Sequence, residues 1–203
     1  MKTIIITIFS ALVLSAGIAK TKNNPAEKNE AVTVLKEINN INKIEVRGNV
    51  ELYITDGAND QVKVYNKYYN ESALVQGTNG VLRIASYKAE KLVVWVTAAD
   101  LRSVAVYDNS EVKSFGDISK IEFNVYLYNT ASAKLSLNSF IAYVVVNDEA
   151  KANLSGTVNE ISLKYNHAEN IDYRNLESKQ SFVTNVAASA MVKQTRKDEL
   201  ADL

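Results

Sequence analysis

The sequence has no cysteine, one proline, one histidine and, over 203 residues, no net charge. Without Cys there is no disulfide, no thiol nucleophile, no thiolate zinc site and no cysteine for lipid attachment. The 23 basic and 23 acidic residues are scattered, so the broad positive field that nucleic acids require is missing and no nucleic-acid partner is expected. Long hydrophobic runs are confined to the start. LVVWV at 92–96 is only strand-sized, well short of the roughly 20 residues of a spanning helix. Helical signals are missing as well, because no stretch between 41 and 192 sets apolar residues at three-and-four spacing. The length suits a single domain that buries a core unaided.

Lys2 precedes an uncharged apolar run over residues 4–14, and Ala16, Gly17 and Ala19 supply small residues behind it. Residues 1–19 therefore read as an export signal cleaved after Ala19, which leaves no membrane span and an address in the periplasm, at the cell surface or outside the cell. Residues 20–37, KTKNNPAEKNEAVTVLKE, are polar and hold the single Pro, so a flexible lead-in is expected. At the other end, residues 196–203 form a charged tail whose KDEL is followed by Ala-Asp-Leu and is not a terminal retention signal.

What is abundant is alternation. Ile44 and Val46 alternate with Lys43, Glu45 and Arg47, and Val50, Leu52 and Ile54 with Glu51, Tyr53 and Thr55, the period of half-buried strands. Gly48-Asn49 and Asp56-Gly57 punctuate them as turns. In the second half the pattern repeats: Asn129, Asn147, Asn166 and Asn185 each follow a strand, at steps of 18, 19 and 19 residues. Behind them Ala131, Ala133 and Leu135 return as Ala150, Ala152 and Leu154. Repeats of this length in strand sequence predict an all-β, single-domain, β-helix-like solenoid with coils of about 19 residues. A meandering antiparallel sandwich is the alternative. In a solenoid, Ile121, Phe123, Val125 and Leu127 point inward, Glu122, Asn124, Tyr126 and Tyr128 point outward, and the alanines fill the narrow interior beside a corner. The four Asn form a structural column whose amides bond to the backbone of the bend and to one another.

Over about residues 38–195 the chain resembles the head GIN domain family of putative auto-transporter adhesins, common among secreted proteins of Bacteroidetes. The resemblance rests on INKIEVRGNVELYITDG, NGVLRIAS and VVWVTAADLRSVAVYDNSEV in that order. It departs at the bends, where the family often has Ser-Gly-Ser-Gly and this chain has DNSE, NTAS, NDEA, NHAE and NVAA. The resemblance implies a β-helix-like fold, an envelope or surface location and an adhesion role.

Candidate chemistry is sparse. His167 stands alone at a bend and lacks triad partners. Asp148, Glu149 and Glu169, with Lys151 and Arg174 in the same coils, carry the alternative of a polysaccharide lyase or hydrolase, since two carboxylates on neighbouring coils can divide acid and base roles. DGANDQ at 56–61 lacks the ligand spacing of a calcium loop and reads as an Asp-Gly turn. No metal or cofactor is expected. Outward tyrosines, Tyr107, Tyr126 and Tyr128, are the candidate binding residues, because aromatic rings on a rigid sheet can meet a surface glycan or envelope protein. The leading expectation is a non-enzymatic binding scaffold, with its oligomeric state open.

Overall fold

A computed structural model describes residues 32–65 and 73–186. The expected export signal, most of the lead-in and the charged tail lie outside the described residues. Twelve strands form one sheet: β1 (Val32–Leu35), β2 (Lys43–Gly48), β3 (Val50–Asp56), β4 (Gln61–Tyr65), β5 (Ala73–Thr78) and β6 (Val81–Ser86), followed by β7 (Leu92–Ala98), β8 (Ser103–Val106), β9 (Glu111–Leu127), β10 (Ser132–Val146), β11 (Lys151–Tyr165) and β12 (Ile171–Asn185). A single 3-10 turn, Ala168–Asn170, joins β11 to β12. No described helix is long and apolar enough to cross a membrane.

The sheet is curled, with its apolar side inside. Every pairing among β8, β9, β10, β11 and β12 is parallel, which rules out the antiparallel sandwich for this half. Parallel stacking turns the period-two pattern into columns. Leu82, Ile44, Val104, Val125, Val144 and Leu163 lie side by side across successive ladders, all at or near zero exposure. A second column runs Val94, Leu52, Val112, Ala133, Ala152 and Ile171. Each buried Val, Leu or Ile contributes roughly 1.5–3 kcal/mol, so these columns hold the stack together. Ala131 and Ala150 are fully buried beside the corner, in keeping with a narrow interior there.

The 19-residue step is local. It holds throughout the ladder between β10 and β11. Between β9 and β10 it begins as 21, Glu111 facing Ser132, and becomes 19 only after a register shift. The ladder from β11 to β12 moves from 19 to 20 across a second shift. In the first half, layers are stacked out of chain order: β2 lies between β6 and β8, and β3 between β7 and β9. Antiparallel arms close that end, β5 on β6 and β1 on β4 on β7. The lead-in is thus partly structured, because Val32–Leu35 forms β1 against β4.

One side-chain assignment changes. Ile121 is 82% exposed, whereas Ile118 is fully buried. Gly116 has φ +81° and stands within the segment of β9 opposite the register shift. The extra residues at 114–116 realign β9 so that Ile118 falls level with Leu137, and a corner shared with β10 and β11, which pass from Ser139 to Ala142 and from Val158 to Ile161, then turns Ile121 outward before the inward phase resumes at Phe123.

Candidate functional site

The bends decide what the outer face can carry. Asp108, Asn129 and Asp148 have φ of +60°, +59° and +53°, the left-handed region that Asn and Asp enter more readily than other side-chain-bearing residues. They also bond along the stack: the Gly48 N–H donates to the Asp108 carboxylate at 3.0 Å and the Asn129 N–H to that of Asp148 at 2.9 Å. The Asn129 amide donates to Asp108 at 2.8 Å. The four asparagines therefore do not share one register. Asn129 stands at the level of Asp148, Asn147 at that of Asn166, and Asn185 faces Tyr165. The physical column at the bend is Asp108, Asn129 and Asp148, because the left-handed position accepts Asp as well as Asn.

One residue before this column, the tyrosines meet. Tyr107 and Tyr128 stack with ring centroids 4.7 Å apart and planes 6° from parallel. The Arg47 guanidinium lies 3.8 Å from the Tyr107 centroid on the ladder that continues from β2 to β8. Such a stack is worth about 0.5–1.5 kcal/mol per ring pair, with a further contribution of similar size from the cation. Burial pushes the Tyr128 hydroxyl above its ordinary pKa. Tyr126 is not part of this stack. It leans on Tyr143 instead, 5.9 Å away and tilted by 60°. Since Tyr107 is covered by Arg47 on one side and Tyr128 on the other, the stack turns edges and hydroxyls outward.

A second outward strip has no counterpart among the residues singled out from the sequence. Lys63, Trp95, Tyr53, Lys113 and Lys134 are ladder neighbours in that order. Trp95 stacks on Tyr53 at 5.1 Å and meets Phe115 at 5.2 Å; Phe115 is 64% exposed. Around them Lys113 donates to Glu51 at 2.7 Å and pairs with Glu111 at 3.1 Å. Tyr53 donates to Glu51 at 2.7 Å, and the Trp95 indole to Thr55 at 2.9 Å. The Lys113 bond holds the Glu51 carboxyl below its ordinary range despite partial burial. The sequence signal was present: Tyr53, Trp95 and Lys113 all occupy outward positions of alternating strands.

The candidate chemistry resolves into structural bonds. Asp148 receives the Asn129 N–H, and Arg174 is bound to Asp172 through both carboxylate oxygens, at 2.9 and 2.7 Å. His167 Nδ1 lies 3.9 Å from a Glu169 carboxylate oxygen. In DGANDQ, Asp60 accepts the N–H groups of Ile41 and Ala99 at 2.7 and 2.9 Å, and Asp56 accepts the Ser119 N–H and the Lys120 ammonium. No cluster of three metal-ligating side chains occurs among the described residues. A groove of about 570 Å³ lined by Asp100, Arg102, Lys120, Ile121 and Glu122 has its Arg102 spent on Asp100 at 2.6 Å.

The sequence pattern of the family described as putative auto-transporter adhesin, head GIN domain, matches residues 40–201. No curated protein matches. Among solved structures, a putative adhesin from Parabacteroides distasonis is similar at TM-score 0.55 and 14% identity, over 76% of this chain and 78% of that one. A putative adhesin from Parabacteroides merdae is similar at TM-score 0.54 and 12% identity, over 75% and 76%. A protein described as putative lipid binding, also from Parabacteroides distasonis, gives TM-score 0.54 at 9% identity over 77% and 78%. At these identities the likeness is one of fold.

Proposed function

We propose that this chain, which belongs to the head GIN domain family of putative auto-transporter adhesins, is an exported, non-enzymatic scaffold whose sheet winds as a β-solenoid and binds an envelope glycan or protein. The observation that carries the reading is the Arg47, Tyr107 and Tyr128 stack, held by consecutive parallel ladders. Because backbone bonds just past the strand ends, from the Tyr107 N–H to the Val46 carbonyl and from the Tyr128 N–H to the Val106 carbonyl, fix these rings, binding orders little and costs little conformational entropy. A partner meets phenol edges, hydroxyls and a guanidinium, so it is expected to offer hydrogen-bonding groups as well as apolar surface. The Trp95 and Phe115 strip offers a flatter, more apolar contact flanked by lysines. The alternative of a polysaccharide-cleaving enzyme loses its motivation, since Asp148 accepts the Asn129 N–H from the adjacent layer and Arg174 is bonded to Asp172.

The test is a screen of the purified protein against envelope glycans and surface proteins, followed by Tyr107→Ala/Tyr128→Ala and Trp95→Ala variants. Hot-spot aromatics of this kind account for roughly 2 kcal/mol or more, so affinity should fall about thirtyfold or more in at least one variant while the fold persists by circular dichroism. Binding that survives all three substitutions, or no binding to any envelope component, would remove the proposal.

A further inference from the structure

We propose that the outer column running through Lys63, Trp95, Tyr53, Lys113 and Lys134 is a binding strip for a linear acidic polysaccharide, which lies along the stack and across the strands. The inference rests on the reading of this chain as a binding scaffold, and names the class of glycan. The column is continuous across β4, β7, β3, β9 and β10. Val34 of β1 extends it beyond Lys63 and is 41% exposed. Four ladder steps separate Lys63 from Lys134, roughly 19 Å at about 4.8 Å per step. Lys151 joins at the Lys134 end, since it faces Ser132, two residues before Lys134 on β10.

The charges left over choose the partner. The Trp95 indole and the Tyr53 hydroxyl are bonded to Thr55 and Glu51. Lys113 is turned onto Glu51 and Glu111, and Lys91 stands 3.7 Å from Glu111, so both carboxylates of the adjoining column already have cations. Among the described residues no carboxylate pairs with Lys63, Lys134 or Lys151; Lys134 and Lys151 are exposed and Lys63 is half-buried. The unmatched groups of the strip are therefore all cationic, and complementary charge calls for an anionic partner. Phe115, 64% exposed beside Trp95, places an apolar surface between the two cationic ends, suited to the C–H face of a sugar ring.

A chain fits this strip better than a flat anionic bilayer does. Asp117, exposed and bonded to the Ser136 hydroxyl at 2.6 Å, lies four residues beyond Lys113 on β9, and the exposed Glu149 lies two residues before Lys151. A plane laid over the strip meets both acids, whereas a single polymer following the lysines passes between them. Strands carry the lysines, so binding orders side chains but no loop.

The test uses the full chain and four probes: polygalacturonate, dextran sulfate, neutral dextran, and vesicles of phosphatidylglycerol and phosphatidylcholine. Both acidic polymers should bind, more weakly as salt is raised, and neutral dextran should not. Lys63→Gln, Lys134→Gln and Lys151→Gln should each weaken binding roughly twofold to fivefold, and the three together about tenfold or more. The K63R/K134R/K151R chain should retain it, and circular dichroism follows the fold of each variant. Lys88→Gln, Lys164→Gln and Lys179→Gln combined remove the same charge elsewhere and should leave affinity unchanged. The inference is overturned if neither polyanion binds, if the second triple loses as much affinity as the first, or if vesicles bind as tightly as the polymers. An envelope ligand that depends on Tyr107 and Tyr128 but not on these lysines would sink the acidic strip and leave the scaffold reading standing.

Discussion

Gly48, Asp108, Asn129 and Asp148 show how much of this architecture rests on backbone conformation at single residues. Gly48 has φ +86°, and a Cβ placed there would lie 2.1 Å from the Ser86 carbonyl oxygen. Gly48→Ala should therefore lower the unfolding free energy by about 2 kcal/mol or more, read from urea denaturation. Asn129→Gly should be tolerated far better than Asn129→Val, because the bend needs a left-handed residue more than it needs the amide. The repeat of a polar bend after each strand was legible in the sequence. Its phase was not, since counting asparagines alone skips Asp108 and Asp148 and slips by one residue between Asn129 and Asn147. Glu51 allows a pH test at the same scale. The Lys113 ammonium, with help from the Tyr53 hydroxyl, depresses its carboxyl. A depressed carboxyl stabilises the fold above its unfolded value and loses that contribution as pH falls through the folded one, a window opening below roughly pH 4. Glu51→Gln should flatten the acid side of the stability curve there, measured by denaturation at stepped pH; an unchanged slope would mean the bond carries no linkage.

Within elements, β9 separates what alternation predicts from what a corner changes. From Phe123 to Leu127 the alternation runs as the sequence implies, with Phe123, Val125 and Leu127 all fully buried. Before Phe123 the strand turns a corner that β10 and β11 share, and a strict period of two projected Ile121 into the core. Nothing in the local pattern distinguishes Ile118 from Ile121; the neighbour's register decides. Ile118→Ala should cost about 2–4 kcal/mol, while Ile121→Thr should stay within about 0.5 kcal/mol of wild type. Comparable losses from both would place the phase change elsewhere. The aromatic strip was hidden for a related reason. Tyr53, Trp95 and Lys113 are far apart in sequence and become neighbours only because β3 is inserted between β7 and β9, an order that periodicity within one strand does not contain. Tyr107 and Tyr128, one repeat apart on layers stacked in chain order, could be read as a pair.

At the scale of the whole molecule, stability is spread along a stack in which each layer touches mainly its neighbours, so local opening should follow position in the stack. β10 is bonded along both edges, to β9 and β11, whereas the described structure gives β12 one neighbour. The largest apolar side chains exposed on β12, Tyr173, Phe182 and Val183, also gain least from burial in a single chain. The Lys120 ammonium acts at the other end of this scale, tying β9 to the end of β3 through Asp56 and to the Ala99 carbonyl at 2.8 Å, across layers that are far apart in sequence. Hydrogen exchange can rank these regions. The β12 amides should exchange at least about a hundredfold faster than those of β10, the difference expected when an edge strand opens locally and a central one only with the whole fold. Equal protection of β12 and β10 would mean that local opening does not follow position in the stack.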